Sequence, residues 1–288
     1  MKDEELFILQ TKCCEYFKTL SDDGDFLYPK DVPQPFLSFK DYCTWFPNTT
    51  LTNFQKNEED ASFFIADTKK DLKVNKAGEI ITWFSKRKSN ENLNGKILSK
   101  KFVSMAKRFA LTFDKTYYTI LNSAFIIFPG YGYLCITFCT NEEKKQVLLT
   151  NYTTNSTITT TFKEIVVSRS TVSLIGFDKD KKQKDVNLEH DCTKYTTLFI
   201  EWIIVDDSAT GYLWINNKRK KQFSFTQDYV SNDSIDVGMR EDHSFPFKGN
   251  IGALEIYHKI DRNEKINGIP DAVRDLIINN QMSLSLDE

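Results

Sequence analysis

Short apolar runs recur along the chain from about residue 58 onward, and a few polar or turn-forming residues separate them. In several runs, apolar and polar side chains alternate with a period of two, the spacing of a strand that buries one face. Many short strands separated by Asn, Asp, Gly and Lys turns are typical of an antiparallel sandwich or barrel. The pattern predicts strands in FFIAD, EIITWF, FALTF, YYTIL, AFIIF, YLCITFCT, QVLLTNY, TITTTF, EIVVS, TVSLIGF, LFIEWIIVDD, GYLWIN, KQFSF, SIDVGM and IGALEIYH.

The alternation also predicts which side chains lie between the two sheets. Because side chains two residues apart share a face, one apolar face of each central strand is expected to point inward. Turns are predicted at Asp206–Gly211 and at Asn216–Lys218, where residues that favour tight turns cluster. The predicted core is Leu134, Ile136, Phe138, Trp202, Ile204, Leu213, Ile215, Leu254 and Ile256.

Two segments have the spacing of helices. Within residues 3–20, apolar residues recur at steps of three and four. Pro270 suits the first turn of a second helix, whose stripe would hold Val273, Leu276, Ile277 and Asn280. The organisation predicted from these features is an N-terminal helix with an aromatic, proline-rich connector packing on the main domain (1–57), a β-sandwich (58–268), and a C-terminal helix and tail (269–288).

Composition and charge narrow the class of protein. The 23 Phe and 12 Tyr against 11 Gly and 7 Pro favour strands. A formal net charge of −2 gives no reason to expect nucleic acid as a partner, and no apolar run reaches the roughly 20 residues of a membrane span. The sequence MKDEELFILQ carries acidic residues where a signal peptide would be basic. We therefore expect a cytoplasmic protein, or one assembled into a particle, with free thiols at its six cysteines.

Three segments in order carry a family pattern. The first joins DASFFIAD (60–67) to GEIITWFSK (78–86), the second is LFIEWIIVDDSATGYLWINNKRKKQ (198–222), and the third is FKGNIGALEIY (247–257). Together they resemble the laminin-G-like domains of the concanavalin A-like lectin and glucanase superfamily, although Ser85 replaces the usual aspartate after the Trp. The resemblance implies an all-β, two-sheet antiparallel jelly-roll sandwich, here with an N-terminal helix and a short C-terminal helix.

The resemblance also implies a class of function. Members of the superfamily bind sugars, proteins or lipids, and some hydrolyse glycans. We expect a non-catalytic, lectin-like recognition or adhesion module for a carbohydrate or protein receptor, as on the surface of a virion or virus-like particle. The alternatives are a structural or intracellular protein-interaction sandwich without a sugar site, and a divergent glycoside hydrolase. The N-terminal helix could join copies of the chain into a homo-oligomer.

The strands lack the acidic spacing of a hydrolase. A glycoside hydrolase of this fold needs two carboxylates on one strand, facing the cleft. Glu201 is followed by four apolar residues before Asp206, and Glu255 has no acidic partner two or four residues further on. His190-Asp191-Cys192 are neighbours in sequence, which does not give the geometry of a nucleophile and its base. No enzyme and no catalytic residue are expected.

Polar loops at one rim of the sandwich are the predicted ligand site. Sugars need planar side chains for stacking, and amides or carboxylates for their hydroxyl groups. The simpler alternative is that these are ordinary surface loops. The predicted ligand-binding residues are Tyr152, Asn155, Tyr229, Asn232, Arg240 and Asp242.

Calcium is the commonest cofactor that the resemblance implies. Acidic loop residues could bind it, but lysines beside Asp178 and Asp180 oppose a cation, and Asp206 with Asp207 most simply begins a turn. Glu241 and Asp242 are the third acidic candidate pair. We expect no metal ligand and no cofactor, with Ca²⁺ as the alternative.

Overall fold

The strands of the protein form two antiparallel sheets, as the sequence predicts. The computed structural model describes residues 62–65, 71–85, 92–99, 102–105, 108–121, 130–150, 162–180, 182–206, 208–226, 234–260, 269 and 271–283. The strands are β1 (Ser62–Ile65), β2 (Leu72–Val74), β3 (Ile80–Trp83), β4 (Leu93–Ser99), β5 (Phe102–Met105), β6 (Arg108–Asp114), β7 (Tyr117–Leu121), β8 (Gly130–Cys139), β9 (Gln146–Thr150), β10 (Phe162–Ser168), β11 (Thr171–Phe177), β12 (Gln183–Glu189), β13 (Thr196–Val205), β14 (Ser208–Ile215), β15 (Lys218–Thr226), β16 (Ser234–Val237) and β17 (Lys248–Ile260). One helix, α1 (Asp271–Ser283), follows them in the described part of the chain.

The first sheet has the strand order β15-β14-β13-β8-β17-β6-β5. Strand β1 pairs with β17 through Ala253–Ile256, next to the stretch of β17 that pairs with β6. The second sheet has the order β12-β11-β10-β9-β16-β7-β4-β3-β2. Since consecutive strands are often not neighbours, the chain crosses repeatedly between the two sheets.

The core lies between the two sheets and contains all nine residues that the alternation predicts. Each of the nine belongs to one continuous apolar cluster. Trp202 fits there because glycines lie opposite it on both neighbouring strands, Gly132 and Gly211. A Cβ atom on Gly132 would clash with the backbone carbonyl of Tyr257 and would lie 2.7 Å from Cζ2 of the Trp202 indole, so a larger residue there would displace the backbone of β17 or the ring. The predicted core is confirmed.

The described strands differ from the predicted ones in places. Strand β12 was missed because it is mostly polar. Val186 is its one buried side chain, so the strand shows no clear apolar alternation. Strands β2, β4 and β5 were also missed. The predicted strand AFIIF lies outside the described residues, as does TITTTF except for Phe162, the first residue of β10. The six-residue turn predicted at Asp206–Gly211 is wrong, because β14 begins at Ser208 and pairs with β13 at once. The turn at Asn216 and Asn217 is confirmed, with φ of 48° and 58°, as in a type I′ hairpin.

Helix α1 covers part of the outer face of the first sheet and confirms the predicted C-terminal helix. Val273, Ile277 and Ile278 are buried, and so is Gln281, which contacts two residues of β8. The amide of Gln281 accepts a hydrogen bond from Oγ1 of Thr137 at 3.2 Å and donates one to the carbonyl of Cys135 at 3.4 Å. With thirteen residues, α1 is too short to cross a bilayer, and no other helix of the described chain is long enough.

The N-terminal helix predicted over residues 3–20 and the connector before residue 58 lie outside the described residues. The domain boundaries at 57/58 and 268/269 therefore stay predictions. Among the described cysteines, Cys135, Cys139 and Cys192 carry free thiols.

A candidate ligand pocket on the outer face of the first sheet

A row of side chains runs across the outer face of the first sheet. The register of β17, β8, β13, β14 and β15 aligns one residue from each strand. Burial decreases along the row, from side chains that are almost fully buried, through half-buried ones, to an exposed amide on the edge strand β15. The row is Tyr257, Tyr133, Glu201, Tyr212 and Gln222.

Glu201 is the centre of this row and is held from two sides. The indole nitrogen Nε1 of Trp214, two residues along β14 from Tyr212, donates a hydrogen bond to Oε1 of Glu201 at 2.9 Å. The Nη1 atom of Arg274, from helix α1, lies 3.6 Å from the same oxygen. Sheet and helix therefore meet at one carboxylate, whose side chain is 13% exposed.

The guanidinium of Arg274 is fixed by several contacts at once. Its central carbon lies 3.8 Å from the centre of the Trp214 ring, a cation–π contact. Its Nη1 also lies 2.7 Å from Oδ1 of Asp271, and its Nε lies 3.6 Å from Oδ1 of Asp275. The side chain of Arg274 is 9% exposed, whereas that of Asp271 is 85% exposed at the mouth of the site.

These side chains line a cavity of about 410 Å³ between α1 and the outer face of β13, β14 and β15. A volume in this range is usual for small-molecule sites, which combine apolar walls with a few convergent polar groups. The lining residues are Glu201, Trp202, Ile203, Thr210, Gly211, Tyr212, Trp214, Gln222, Ile269, Asp271 and Arg274.

The pKa of Glu201 is raised above its usual value. Burial is the largest cause, because removing water penalises the charged form, and the nearby Asp271 charge acts in the same direction. The hydrogen bond from Trp214 and the charge of Arg274 oppose the increase in pKa. The carboxylate is thus less well solvated than a surface glutamate and has oxygen lone pairs that can accept bonds from a ligand.

Of the predicted ligand-binding residues, the structure describes Arg240 and Asp242, while Tyr152, Asn155, Tyr229 and Asn232 lie outside the described residues. Asp242 accepts a hydrogen bond from the backbone N–H of Ser244 at 2.9 Å. Hydrogen bonding from the side chain and backbone of Ser244 is the main cause that lowers the pKa of Asp242, and the nearby Arg240 charge acts in the same direction. Both described residues belong to a loop attached to the second sheet, on the opposite side of the sandwich from the pocket.

Arg240 makes a two-pronged ion pair with Glu164 on β10. The Nε atom lies 2.9 Å from one carboxylate oxygen and Nη2 lies 2.7 Å from the other. The Glu164 side chain is 1% exposed, and the guanidinium also covers the ring of Phe245 at 4.7 Å. Substitution of Arg240 therefore changes the fold of this loop as well as any ligand contact.

Two of the acidic candidates for calcium, Asp178 and Asp242, accept hydrogen bonds from backbone N–H groups of their own loops. Oδ1 of Asp178 accepts hydrogen bonds from the backbone N–H groups of Asp180 and Lys182, which closes a turn. Within the described ranges, no group of three or more His, Cys, Asp or Glu side chains could hold a metal ion.

Sequence reasoning missed the residues that line the pocket. Tyr212 and Trp214 lie two residues apart in the predicted strand GYLWIN and so share a face, but nothing in the sequence indicated that a helix would cover this face. Asp271 and Arg274 are far from Glu201 in sequence, so the cluster could not be recognised from spacing. One feature of the sequence does point to this site. In the predicted strand GYLWIN, the face opposite the core carries two aromatic side chains, which is unusual for a solvent-exposed face.

Comparison with known proteins identifies similar folds. The chain is 12% identical to the receptor-binding domain of botulinum neurotoxin of the mosaic serotype C/D, with a TM-score of 0.51 over 78% of this chain and 52% of that one. Two point mutants of HCR/D match with TM-scores of 0.50 and 0.50, at 12% and 11% identity, over 77% and 79% of this chain. They are covered over 52% and 53% of their own length, so the chain spans about half of each of these proteins. At this level of identity, the similarity shows a shared β-sandwich fold.

No protein-family model matches the chain, and no curated protein matches its sequence.

Proposed function

We propose that the chain is a non-catalytic recognition module that binds a carbohydrate or protein receptor, and that a carbohydrate binds in the pocket between α1 and the first sheet. The observation that carries this proposal is the alignment of Glu201, Tyr212 and Gln222 across three neighbouring strands, beside Trp214. The three side chains offer a carboxylate, an aromatic ring and an amide within one cavity.

The chemistry of these groups suits a sugar. A pyranose ring has apolar C–H faces that stack on an aromatic side chain, and Tyr212 is half-buried at the pocket wall. Vicinal hydroxyl groups donate to carboxylates and exchange hydrogen bonds with amides, which Glu201 and Gln222 provide. A flat apolar patch would favour a protein receptor, whereas these groups line a concave cavity.

The folds found by comparison agree with this class of function, since the matched solved structures include a toxin receptor-binding domain. Within the proposal, the sandwich is a jelly roll of the concanavalin A-like, laminin-G-like kind. The surface of a virion or virus-like particle is the proposed setting, and the N-terminal helix is the proposed contact of a homo-oligomer. The rim residues Arg240 and Asp242 stay a second predicted contact region.

A glycoside hydrolase is the alternative, because the pocket holds two carboxylates. Glu201 and Asp271 both lie close to Nη1 of Arg274, at 3.6 and 2.7 Å. A hydrolase needs its two carboxyl groups on either side of the scissile bond, one of them able to donate a proton. Here a guanidinium occupies the space between them, so the geometry favours binding over hydrolysis.

A glycan array probed with the whole chain tests the proposal. We expect binding of at least one glycan by the wild type, and a loss of tenfold or more in affinity for Tyr212→Ala and Gln222→Ala. The matched controls are Phe84→Ala, an exposed aromatic that directly follows β3, and Gln183→Ala, an exposed glutamine on the edge strand β12. Equal loss in the controls, or unchanged binding in Tyr212→Ala, would remove the pocket as the site.

The same preparation tests the alternative. Release of reducing sugar that is abolished by Glu201→Gln would make the chain a hydrolase. We expect no turnover from either protein.

A further inference from the structure

The charge balance of the pocket limits which ligands it can accept. Among the described residues that line it, Arg274 is the basic side chain and Glu201 and Asp271 are the acidic ones. Arg274 contacts both of these carboxylates and also Asp275 outside the pocket. The described lining therefore has more negative than positive charge, and its cation already has anionic partners.

Arg274 cannot easily turn to meet a ligand. Its side chain is 9% exposed, and its guanidinium is stacked on Trp214 at 3.8 Å. Moving it toward an anion would separate it from buried Glu201 and uncover the indole. An ion pair whose partner is lost in a buried site leaves an uncompensated charge, which is strongly unfavourable.

A ligand in this pocket must therefore supply hydrogen-bond donors. Carboxylates accept hydrogen bonds and never donate them when ionised, and Glu201 and Asp271 together provide several acceptor positions. An anionic ligand brings further acceptors and like charge. A cationic ligand would compete with Arg274 for the Trp214 face, which is already occupied, and would lie next to its positive charge.

We infer that the pocket selects an uncharged, hydroxyl-rich ligand, that is, a neutral saccharide, and discriminates against sialylated and sulfated sugars. This inference rests on the proposed function and specifies its ligand class. Asp271 is the residue that sets the discrimination against anions, because it is exposed at the mouth, where an incoming acidic group would pass. Arg274 is a positioning residue that holds the two carboxylates in place.

The test is an array in which each core glycan is present in a neutral form and in sialylated, sulfated and de-N-acetylated forms, with affinities then measured in solution. We expect the anionic forms to bind at least tenfold more weakly than the neutral form. Asp271→Asn should reduce this difference severalfold, because one carboxylate of the lining becomes neutral. Asp275→Asn is the matched control on the same helix and against the same guanidinium, and it should leave the difference unchanged.

The outcomes separate this inference from the function on which it rests. Preferred binding of an anionic or amino sugar, still lost in Tyr212→Ala, would overturn the ligand class and leave the recognition function standing. Binding of no glycan in any form would overturn both. Since Asp271 is 85% exposed, Asp271→Asn is expected to fold normally, and an unchanged melting temperature verifies this.

Discussion

The outer faces of the two sheets both have polar side chains aligned across several strands, but the two rows differ in the hydrogen-bond partners of those side chains. On the first sheet the row ends in exposed groups beside a cavity, and Glu201 has acceptor capacity toward that cavity. On the second sheet the row is buried over most of its length. Its members, on β3, β4, β7, β16, β9 and β10, are Thr82, Asn94, Thr119, Asp236, Thr150 and Glu164.

The second row forms hydrogen bonds mostly within itself and with nearby backbone. Thr82 donates a hydrogen bond to Asn94 at 3.2 Å, and Thr119 donates one to Asp236 at 2.9 Å. Glu164 accepts two hydrogen bonds from the guanidinium of Arg240. The difference teaches that alignment of polar groups is not sufficient for a site. A site needs groups whose hydrogen-bonding capacity faces an open volume, and the first sheet meets that condition at α1.

The largest change in stability is expected from breaking the ion pair between Arg240 and Glu164 in the second row. Arg240→Ala leaves Glu164 charged and buried, so the free energy of unfolding should fall by about 3–5 kcal/mol. Arg169→Ala is the matched control, because Arg169 and Glu143 have the same 2.7 Å separation but are 55% and 70% exposed. That change should cost at most about 1 kcal/mol in urea unfolding. Equal losses in the two variants would mean that Glu164 is not buried.

The next effect concerns pH. Burial is the largest cause that raises the pKa of Asp236 from 3.8 to about 6, so the folded state disfavours the charged form. Protonation removes this penalty, and Asp236 therefore lowers stability as pH rises from about 4 to 6. Relative to the wild type, Asp236→Asn should gain about 2 kcal/mol between pH 4 and pH 7.

Chemical unfolding at the two pH values measures this change. Thr119→Val should enlarge the wild-type pH dependence, because the Thr119 hydrogen bond lowers the pKa of Asp236. A relative stability of Asp236→Asn that does not change with pH would contradict the assignment.

A smaller effect is expected in the first sheet. Trp214→Phe keeps the aromatic ring under Arg274 but removes the N–H that donates to Glu201. Loss of a hydrogen bond to a charged group should cost about 1.5–3 kcal/mol, and less where solvent can replace it. The pKa of Glu201 should rise further, because this bond lowers it. NMR titration of the Glu201 carboxyl carbon measures the shift, and an unchanged or lower pKa would disprove the contact.

The sequence predicted what depends on local periodicity. Alternation identified the inward face of β8, β13, β14 and β17, because burial there follows the two-residue period of a strand. It failed for β12, where Val186 alone is fully buried in a polar edge strand. It also failed at Ser208–Gly211, where turn-forming residues lie in a strand because they pair with β13.

The pocket could not be predicted for a different reason. Glu201 was set aside because no acidic residue lies near it along its strand, whereas its neighbours Asp271 and Arg274 come from a helix that follows the sandwich in sequence. The stripe of α1 was correct at Val273 and Ile277, which are buried. A stripe of apolar residues does not indicate which sheet face it covers, or that Arg274 reaches a carboxylate there.

The contrast between the two faces is tested most directly by mapping ligand contacts on the isotopically labelled chain by NMR. A neutral oligosaccharide that binds on the array is titrated, and the backbone amide shifts of both rows are followed. We predict that the shifts cluster at Glu201, Tyr212 and Gln222, with the amides of Thr119, Asp236 and Thr150 unchanged. Shifts confined to the second sheet, or to the loop that holds Arg240 and Asp242, would contradict binding at α1 and place the ligand on the other side of the sandwich.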